Sequence, residues 1–481
     1  GEDTDNETAF WSQSVEALTE ALAQCGFRDP MTAAQAISRF RDDVDRPGSR
    51  VGQRGRKRLF RLVPQLTQAV AKTPTPDRVL QDWLTLLHAI RHRTAYLDLF
   101  CENPMTVTRL TDMMSASHWV ASHAARYPLV LDELLNPAFL NDIPTVEDIE
   151  DDLRRRLLGV PDSDEETLWE VLREHKQQWI FHLGVAFATG HLPIGQLQKL
   201  LTGLANGILT AVTRFSIRRQ FPAPDDKTAL EQFVLLGYGK LGSGELSLGS
   251  DLDLVFLHQA TDDDRIAGYL RVVRRIVQML STQTFGGILY HVDTRLRPSG
   301  RAGLLISSFD SYARYQREEA WTWEHQALVK ARVVVGPDAV RTRFENLRRE
   351  ILSKRRNPHA LLEEVREMRA RIQQQTKLAD WQETIKIGDG GLIDIEFLVQ
   401  YLVLCHAHAA PALVEPRDTA GLLNALAQYG FLDEETSTML ANVHRNLLDA
   451  LNQCEVGRQP DSQVIETSMT EANRVIRALG L

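Results

Sequence analysis

Apolar residues recur along this chain with two different periods, and the change of period divides it. From Thr8 to about Arg219 the spacing is helical almost throughout, as where Trp83, Leu86, Leu87, Ile90 and Leu97 fall three, four and seven apart. Breakers sit between the periodic stretches: Pro30, Pro47-Gly48, Pro74 and Pro76, Pro104, Pro144 and Gly159-Val160-Pro161. Ser163-x-x-Glu166 predicts a capping box at the start of the helix that carries Leu168, Val171 and Leu172. The segment Phe221-Pro222-Ala223-Pro224-Asp225-Asp226 closes this region.

Beyond it come short apolar runs of strand length, Phe233 to Gly237 and Leu252 to His258, with a glycine-rich loop between them. A helix from Ile266 to about Thr284 follows. Phe285-Gly286-Gly287 then turns the chain into a predicted strand from Ile288 to Arg297. After about Gly336 the helical period returns, over Leu361 to Gln375, Leu392 to Leu404, Gly421 to Tyr429 and Glu434 to Leu451. The fold class expected is α+β and predominantly helical, with a small mixed sheet between two helical bundles. The boundaries expected are 1–155 for an N-terminal helical, regulatory region, 156–340 for a catalytic domain with its sheet core at 231–335, and 341–481 for a C-terminal bundle.

Composition narrows the function without choosing it. The chain has 55 Lys and Arg against 64 Asp and Glu, a formal net charge of −9, which excludes a generally basic nucleic-acid binder. With 43% apolar residues among 481, it can bury sizeable cores. Cys25, Cys101, Cys405 and Cys454 are widely spaced and form no C-x-x-C pair, which suits a reducing compartment. No run approaches the roughly 20 apolar residues of a membrane span, and the N-terminus lacks a signal-peptide layout. A cytoplasmic protein with no membrane partner is expected. The opening Gly1-Glu2-Asp3, without Met, suggests a piece of a longer protein.

Candidate chemistry gathers between Gly237 and Asp253. On a strand alternate side chains share a face, so Asp251 and Asp253 project together while Leu252, Leu254 and Phe256 enter the core. Two adjacent carboxylates repel unless a cation neutralises them, and hard oxygen ligands suit Mg²⁺ or Mn²⁺. The predicted strand Ile288 to Arg297 would place Leu289, His291, Asp293, Arg295 and Arg297 on one face and Ile288, Tyr290, Val292 and Leu296 on the other. Three aspartates can hold two cations about 4 Å apart, one on an attacking oxygen and one on leaving pyrophosphate. Gly242-Ser243-Gly244 could bring backbone N–H groups and a hydroxyl to phosphate oxygens. Each piece alone has a plainer reading, an exposed strand edge or an ordinary turn; together they describe a phosphoryl-chemistry site.

The pattern of Gly-Ser, a seven-residue spacer and Asp-x-Asp resembles the nucleotidyltransferase superfamily of DNA polymerase β and kanamycin nucleotidyltransferase. Longer blocks resemble glutamine synthetase adenylyltransferases. They are Gly239-Lys240-Leu241-Gly242, Glu245-Leu246, Ser250 to Phe256, Asp293-x-Arg295-Leu296-Arg297-Pro298-Ser299-Gly300, Ala320 to Arg332, and Ile385-Lys386-x-Gly388-x-Gly390-Gly391-x-Ile393-Asp394-Ile395-Glu396-Phe397. The wording at 237–240, 297–300 and 321–325 is similar to the C-terminal, adenylylating half of that bifunctional family. Two departures are Ser243, where the family more often has Gly, and the short connection from His258 to Arg265.

The resemblance implies a polymerase β-like catalytic domain that transfers AMP from ATP to a tyrosine hydroxyl of glutamine synthetase, releases pyrophosphate, and thereby lowers synthetase activity according to nitrogen status. It implies PII and glutamine as regulators. Carried over residue by residue, Asp251, Asp253 and Asp293 would bind Mg²⁺ or Mn²⁺, with Asp293 also helping to deprotonate the acceptor. Gly242 and Ser243 would cradle phosphates, and Lys240, Arg295, Arg297 and Lys330 are candidate phosphate contacts, each with a surface salt bridge as the plainer alternative. A uridylyltransferase acting on PII shares the Asp-x-Asp site, but its His-Asp hydrolase dyad and C-terminal ligand-binding repeats are not found. A non-catalytic nucleotide- or PII-sensing module is disfavoured by the three aspartates, and a templated polymerase by the lack of a basic track.

Other features have plainer readings. His88 and His92 could share a helix face, but no third metal ligand accompanies them. Cys405, His406 and His408 are expected to pack at a helix end, and Asp394 and Glu396 to lie on different faces of a helix opened by Gly390-Gly391, with Lys386 in reach of the nucleotide. Arg154-Arg155-Arg156 and Lys354-Arg355-Arg356 read as solvated helix faces, and Trp321 and Trp323 as core before adenine stacking.

Overall fold

The computed structural model describes residues 10–135, 143–161, 164–284, 286–375 and 380–481. Thr8, Ser163 and Phe285 lie outside the described residues. The helix expected to open near Ser163 spans Glu165–Ala188, and Asp164 caps it, accepting hydrogen bonds from the Thr167 amide at 3.0 Å and hydroxyl at 2.7 Å. The chain divides into two compact units: Gly1–Ile143 with Gln177–Leu192 and Glu455–Arg458, and Pro144–Lys176 with Pro193–Cys454 and Gln459–Leu481.

The first unit is helical. Its helices Pro30–Asp45, Pro76–Ile90 and Pro104–Ala116 each begin on the proline that the sequence shows as a breaker, because a first-turn position needs no N–H and fits the fixed φ of proline. Trp83, Leu86, Leu87, Ile90 and Leu97 are all fully buried. The indole of Trp83 donates to Thr111 Oγ1 at 3.0 Å and meets the Phe100 ring edge-on, with centroids 5.4 Å apart. His88 and His92 do not form a metal pair. The Arg91 guanidinium sits 2.7 Å from His88 Nε2 and 3.2 Å from His92 Nε2, and a cation between the rings excludes another.

The second unit holds a five-stranded mixed sheet: β1 (Phe233–Gly237), β2 (Leu252–His258), β3 (Val292–Asp293), β4 (Ile306–Ser308) and β5 (Arg332–Val335), in the order β3-β2-β1-β5 with β4 also on β2. β1 pairs antiparallel with β2 and β5, whereas β3 and β4 run parallel to β2. Every residue of β1 is buried, and in β2 only Asp253 escapes full burial, so these two central strands are covered on both faces. Helix Asp263–Ser281 supplies part of that cover. Its Tyr269 lies 5.8 Å from Phe233 and 5.1 Å from Phe221, ring to ring. The apolar helix Ile194–Gln220 has the length and composition of a membrane span, but 72% of its most apolar window is buried inside the protein.

The strand expected over Ile288 to Arg297 is a correction. Only Val292–Asp293 pairs as a strand, and the consecutive Leu289 and Tyr290 are both buried, which breaks the expected alternation. Side chains satisfy this segment instead of a neighbouring strand. Arg173 donates to the carbonyls of Gly287 and Thr282, each at 2.9 Å, and Lys176 lies 3.4 Å from the Ile288 carbonyl with its ammonium 4.4 Å above the Tyr290 ring. The C-terminal helices of this unit include Asp338–Leu352, Pro358–Gln375, Trp381–Ile387, Leu392–His406, Thr419–Gln428, Glu434–Glu455 and Ser462–Ala478.

Phe256 is buried at the centre of β2, 6.3 Å ring to ring from Phe233. Phe256→Ala is expected to lower unfolding free energy by about 3–5 kcal/mol, read as a shifted urea midpoint; a shift equivalent to less than about 1 kcal/mol would contradict the sheet core described.

Candidate active site

The chain leaves β1 at Gly237 and, where a glycine-rich loop is expected, forms a short helix, Gly239–Ser243, closed by Gly244 at φ 79°. Two glycines here are forced by close approach. Gly239 has φ 51°, and a Cβ on it would collide with the Asp253 carboxylate; a Cβ on Gly242 would collide with the backbone carbonyl of Lys330. Arg332 anchors the turn from β5, donating to the Leu241 carbonyl from Nε at 3.1 Å and Nη2 at 3.0 Å, while Nη2 also reaches Asn206 Oδ1 at 2.9 Å. The amide of Gly242 is already donated to the Tyr238 carbonyl at 2.9 Å, so Gly242 serves the site by packing. Ser243 is half-buried, its hydroxyl 3.4 Å from the Lys240 carbonyl.

Asp251 is exposed just before β2, Asp253 is half-buried within it, and Asp253 stands opposite Asp293 in the β2–β3 register. Burial first, then the charges of Asp251 and Asp293, push the Asp253 carboxyl up to about 7. Burial also acts to raise Asp293, but Arg295 outweighs it and holds Asp293 below the usual carboxylate range, donating from its amide at 2.8 Å and from Nε at 2.6 Å. Among the described residues, no three acidic, His or Cys side chains converge on one point as a ready cation cage. The donor set nevertheless suits a hard divalent cation: it is all carboxylate oxygen, at a place where negative charges oppose each other without enough local compensation.

The four expected phosphate contacts are placed very differently. Lys240 is half-buried with no carboxylate in salt-bridge range among the described residues. Burial lowers its ammonium; Glu396 and Asp251 act against that shift, and Lys386 and Lys330 add to it. The charge of Lys386, on helix Trp381–Ile387, is thus felt at Lys240. Arg295 is held on Asp293. Arg297 ties its own loop, donating to Thr294 Oγ1 at 2.7 Å and to the carbonyls of Thr294 at 2.8 Å, Arg301 at 3.2 Å and Gly303 at 3.2 Å. Lys330 is buried in an ion pair with Glu245 and Glu396, its Nζ 3.0 Å from each carboxylate.

The expectation of a core Trp321 does not hold, since this side chain is 70% exposed. Its neighbours have local structural tasks. Glu324 accepts from the Trp321 amide at 2.9 Å and from the Tyr315 hydroxyl at 3.0 Å, capping helix Thr322–Leu328. His325 lies between the Gln316 carbonyl at 2.9 Å and Arg356 at 3.3 Å. Asp394 accepts from the Gly390 amide at 2.8 Å and from Arg369, fixing the start of helix Leu392–His406 as the two glycines suggest. Cys405 is buried, and His406 stacks on Phe431 at 4.2 Å. Sequence reasoning missed Glu245 as an ion-pair partner, and with it Thr419, His444 and Asn452. The signals for Glu245 are its place directly after the Gly-Ser turn and its part in the Glu245-Leu246 block, neither of which names its partner.

A strand–turn–strand that presents acidic side chains beside a half-buried lysine suits nucleotidyl transfer, and the family match makes the chain a nucleotidyltransferase. Residues 107–347, half of the chain, match the family model described as glutamate-ammonia ligase adenylyltransferase, and the chain belongs to that family. It is an enzyme of adenylyl transfer, in a family that acts on glutamine synthetase. Residues 359–481 are similar to the family described as GlnD PII-uridylyltransferase.

Two outcomes follow from this geometry. Gly242→Ala should lose at least about 10-fold in kcat/KM, since a methyl group there must displace the Lys330 backbone; near-unchanged kinetics would contradict the packing. Burial, aided by Arg356 and Lys354, depresses His325 from 6.5 to about 4. The folded state holds this imidazole neutral while the unfolded chain protonates it, so its contribution is complete above pH 6.5 and is lost as pH falls towards 4. Tm should fall on acidification across that window, and less steeply in His325→Gln; identical Tm profiles would refute the assignment.

Proposed function

We propose that this chain transfers AMP from ATP to a tyrosine hydroxyl of glutamine synthetase, releasing pyrophosphate, and that the transfer answers the nitrogen status of the cell. The observation that carries the reading is the set Asp251, just before β2, Asp253 on β2 and Asp293 on β3, with the half-buried Lys240 in their field. Asp251, Asp253 and Asp293 would hold Mg²⁺ or Mn²⁺. Bound there, the cation would neutralise triphosphate charge and activate the attacking oxygen. Lys240 and Lys386 orient the triphosphate by charge, and the turn Gly239–Ser243 limits how closely it can approach β2. A phenol with pKa about 10 must lose its proton to attack at neutral pH. Asp293 is the carboxylate we assign to receive it, because the two hydrogen bonds from Arg295 keep it ionised and fixed in direction.

The similarity of residues 359–481 to PII-uridylyltransferase supports PII as a regulator, and glutamine is proposed beside it as the signal of nitrogen supply. None of the four cysteines is in a disulfide, which suits the reducing cytoplasm in which we place this reaction.

The test is incubation with glutamine synthetase, Mg²⁺ and labelled ATP or UTP. Label from ATP should appear on a synthetase tyrosine, with Asp251→Asn and Asp253→Asn each reduced about 100-fold or more. Transfer from UTP alone, a different acceptor, or full activity in the Asn variants would overturn the reading. Lys386→Met should raise KM for ATP about 10-fold while leaving KM for glutamine synthetase unchanged; an unaltered KM for ATP would remove Lys386 from the site.

A further inference from the structure

Behind the turn that follows β1 lies a buried charge cluster. Lys330 Nζ is 3.0 Å from Glu245 Oε2 and 3.0 Å from Glu396 Oε2. On its other side Glu245 accepts from the Thr419 amide at 3.0 Å and the Thr419 hydroxyl at 3.4 Å. Glu396 Oε1 faces His444 Nε2 at 3.6 Å. Lys330, Glu245 and His444 are all buried. One step further along the turn, the amide of Leu248 donates to Asn452 Oδ1 at 3.2 Å, and Asn452 donates to Ser247 Oγ at 3.2 Å.

These contacts reach the nucleotide site through the backbone. The Glu245 amide donates to the Lys240 carbonyl at 2.9 Å, so the residue that pairs with Lys330 also closes the turn bearing Lys240. The carbonyl of Lys330 is the group against which Gly242 packs. Glu396 stands on helix Leu392–His406, whose entry at Gly391 packs against the carbonyls of Ile385, Lys386 and Gly388, which places the backbone of Lys386 against the start of that helix. Burying two carboxylates and an ammonium contributes little to stability when an apolar set of equal volume would pack as well. Fixed direction is what such a cluster supplies and an apolar one does not.

We propose that Glu245, Lys330, Glu396 and His444 are positioning residues through which helices Leu392–His406 and Glu434–Glu455 set the Gly239–Ser243 turn, Lys240 and Lys386 against the nucleotide. The proposal rests on the reading of this site as one for ATP. Lys330 then acts as the hub of the support beneath the phosphates, without touching them. The C-terminal helices complete the site, and any event that moves them is felt at the triphosphate.

The experiment uses the full chain and Glu396→Gln, which keeps the shape and removes the charge, with Glu396→Asp as the conservative variant. Equilibrium titration with a fluorescent ATP analogue and with its UTP counterpart, each with Mg²⁺, is run beside adenylylation kinetics and thermal melting. Glu396→Gln should weaken Kd for Mg²⁺–ATP about 10-fold and raise KM for ATP in parallel, with KM for glutamine synthetase unchanged and Glu396→Asp falling between. A folded Glu396→Gln protein whose Kd stays within about twofold of the unsubstituted chain overturns the proposal, as does a loss confined to the active fraction. If Glu396→Gln does not fold, His444→Gln decides by the same ratio, with about a threefold weakening expected. A preference of the unsubstituted chain for UTP counts against the adenylyl reading alone, because the ratio between variant and unsubstituted chain still judges the cluster.

Discussion

Mutual repulsion among Asp251, Asp253 and Asp293 is the constraint around which the second unit is arranged. Three carboxylates cannot share a half-buried place without opposing charge, and the protein meets this in part. Arg295 takes up Asp293, solvent reaches Asp251, and Asp253, between them on a strand buried on both faces, is pushed up to about 7. What remains uncompensated is negative charge of the kind a divalent cation balances. The close approach of Gly239 belongs to the same arrangement, since any side chain there would occupy the space of the Asp253 carboxylate.

The carboxylates and the two central strands were legible in the sequence because both are local patterns. FVLLG and LDLVFLH are apolar runs of strand length, and Asp253 within the second stands out as its one charged residue before His258, although Asp251 proves to precede the strand rather than to share its pleat. β3 was legible only as a residue, Asp293. Its extent was not, because the carbonyls of Gly287 and Ile288 go to Arg173 and Lys176, more than a hundred residues earlier. Pairing of that kind leaves no periodicity to read. β4 and β5 are three and four residues long, too short to stand out against the helices that follow them.

The basic residues show the same division. Lys240, Arg295, Arg297 and Lys330 look alike in sequence, each a cation in a motif near an acidic strand. The structure gives them separate surroundings: one half-buried without an ion pair among the described residues, one fixing a carboxylate, one tying a loop, and one buried 85 positions in sequence from its partner Glu245. Charge type is a local property, whereas the partner that uses up the charge is a tertiary one. The pairing of Glu245 and the part played by His444 escaped notice for that reason, and Trp321 was misread in reverse, a large apolar residue expected in the core that is 70% exposed.

The reach of Glu245 has a consequence in time. Its carboxylate is satisfied by Lys330 and Thr419, Lys330 by Glu396 as well, and the next residues of the turn by Asn452. During synthesis β1 and β2 emerge before the C-terminal helices, yet the Glu245 carboxylate in the turn between them meets Lys330 only after 85 further residues and Thr419 only after 174. The two strands can therefore be present in a nascent chain before the groups that hold their turn, so the turn is among the last parts of this unit to be fixed.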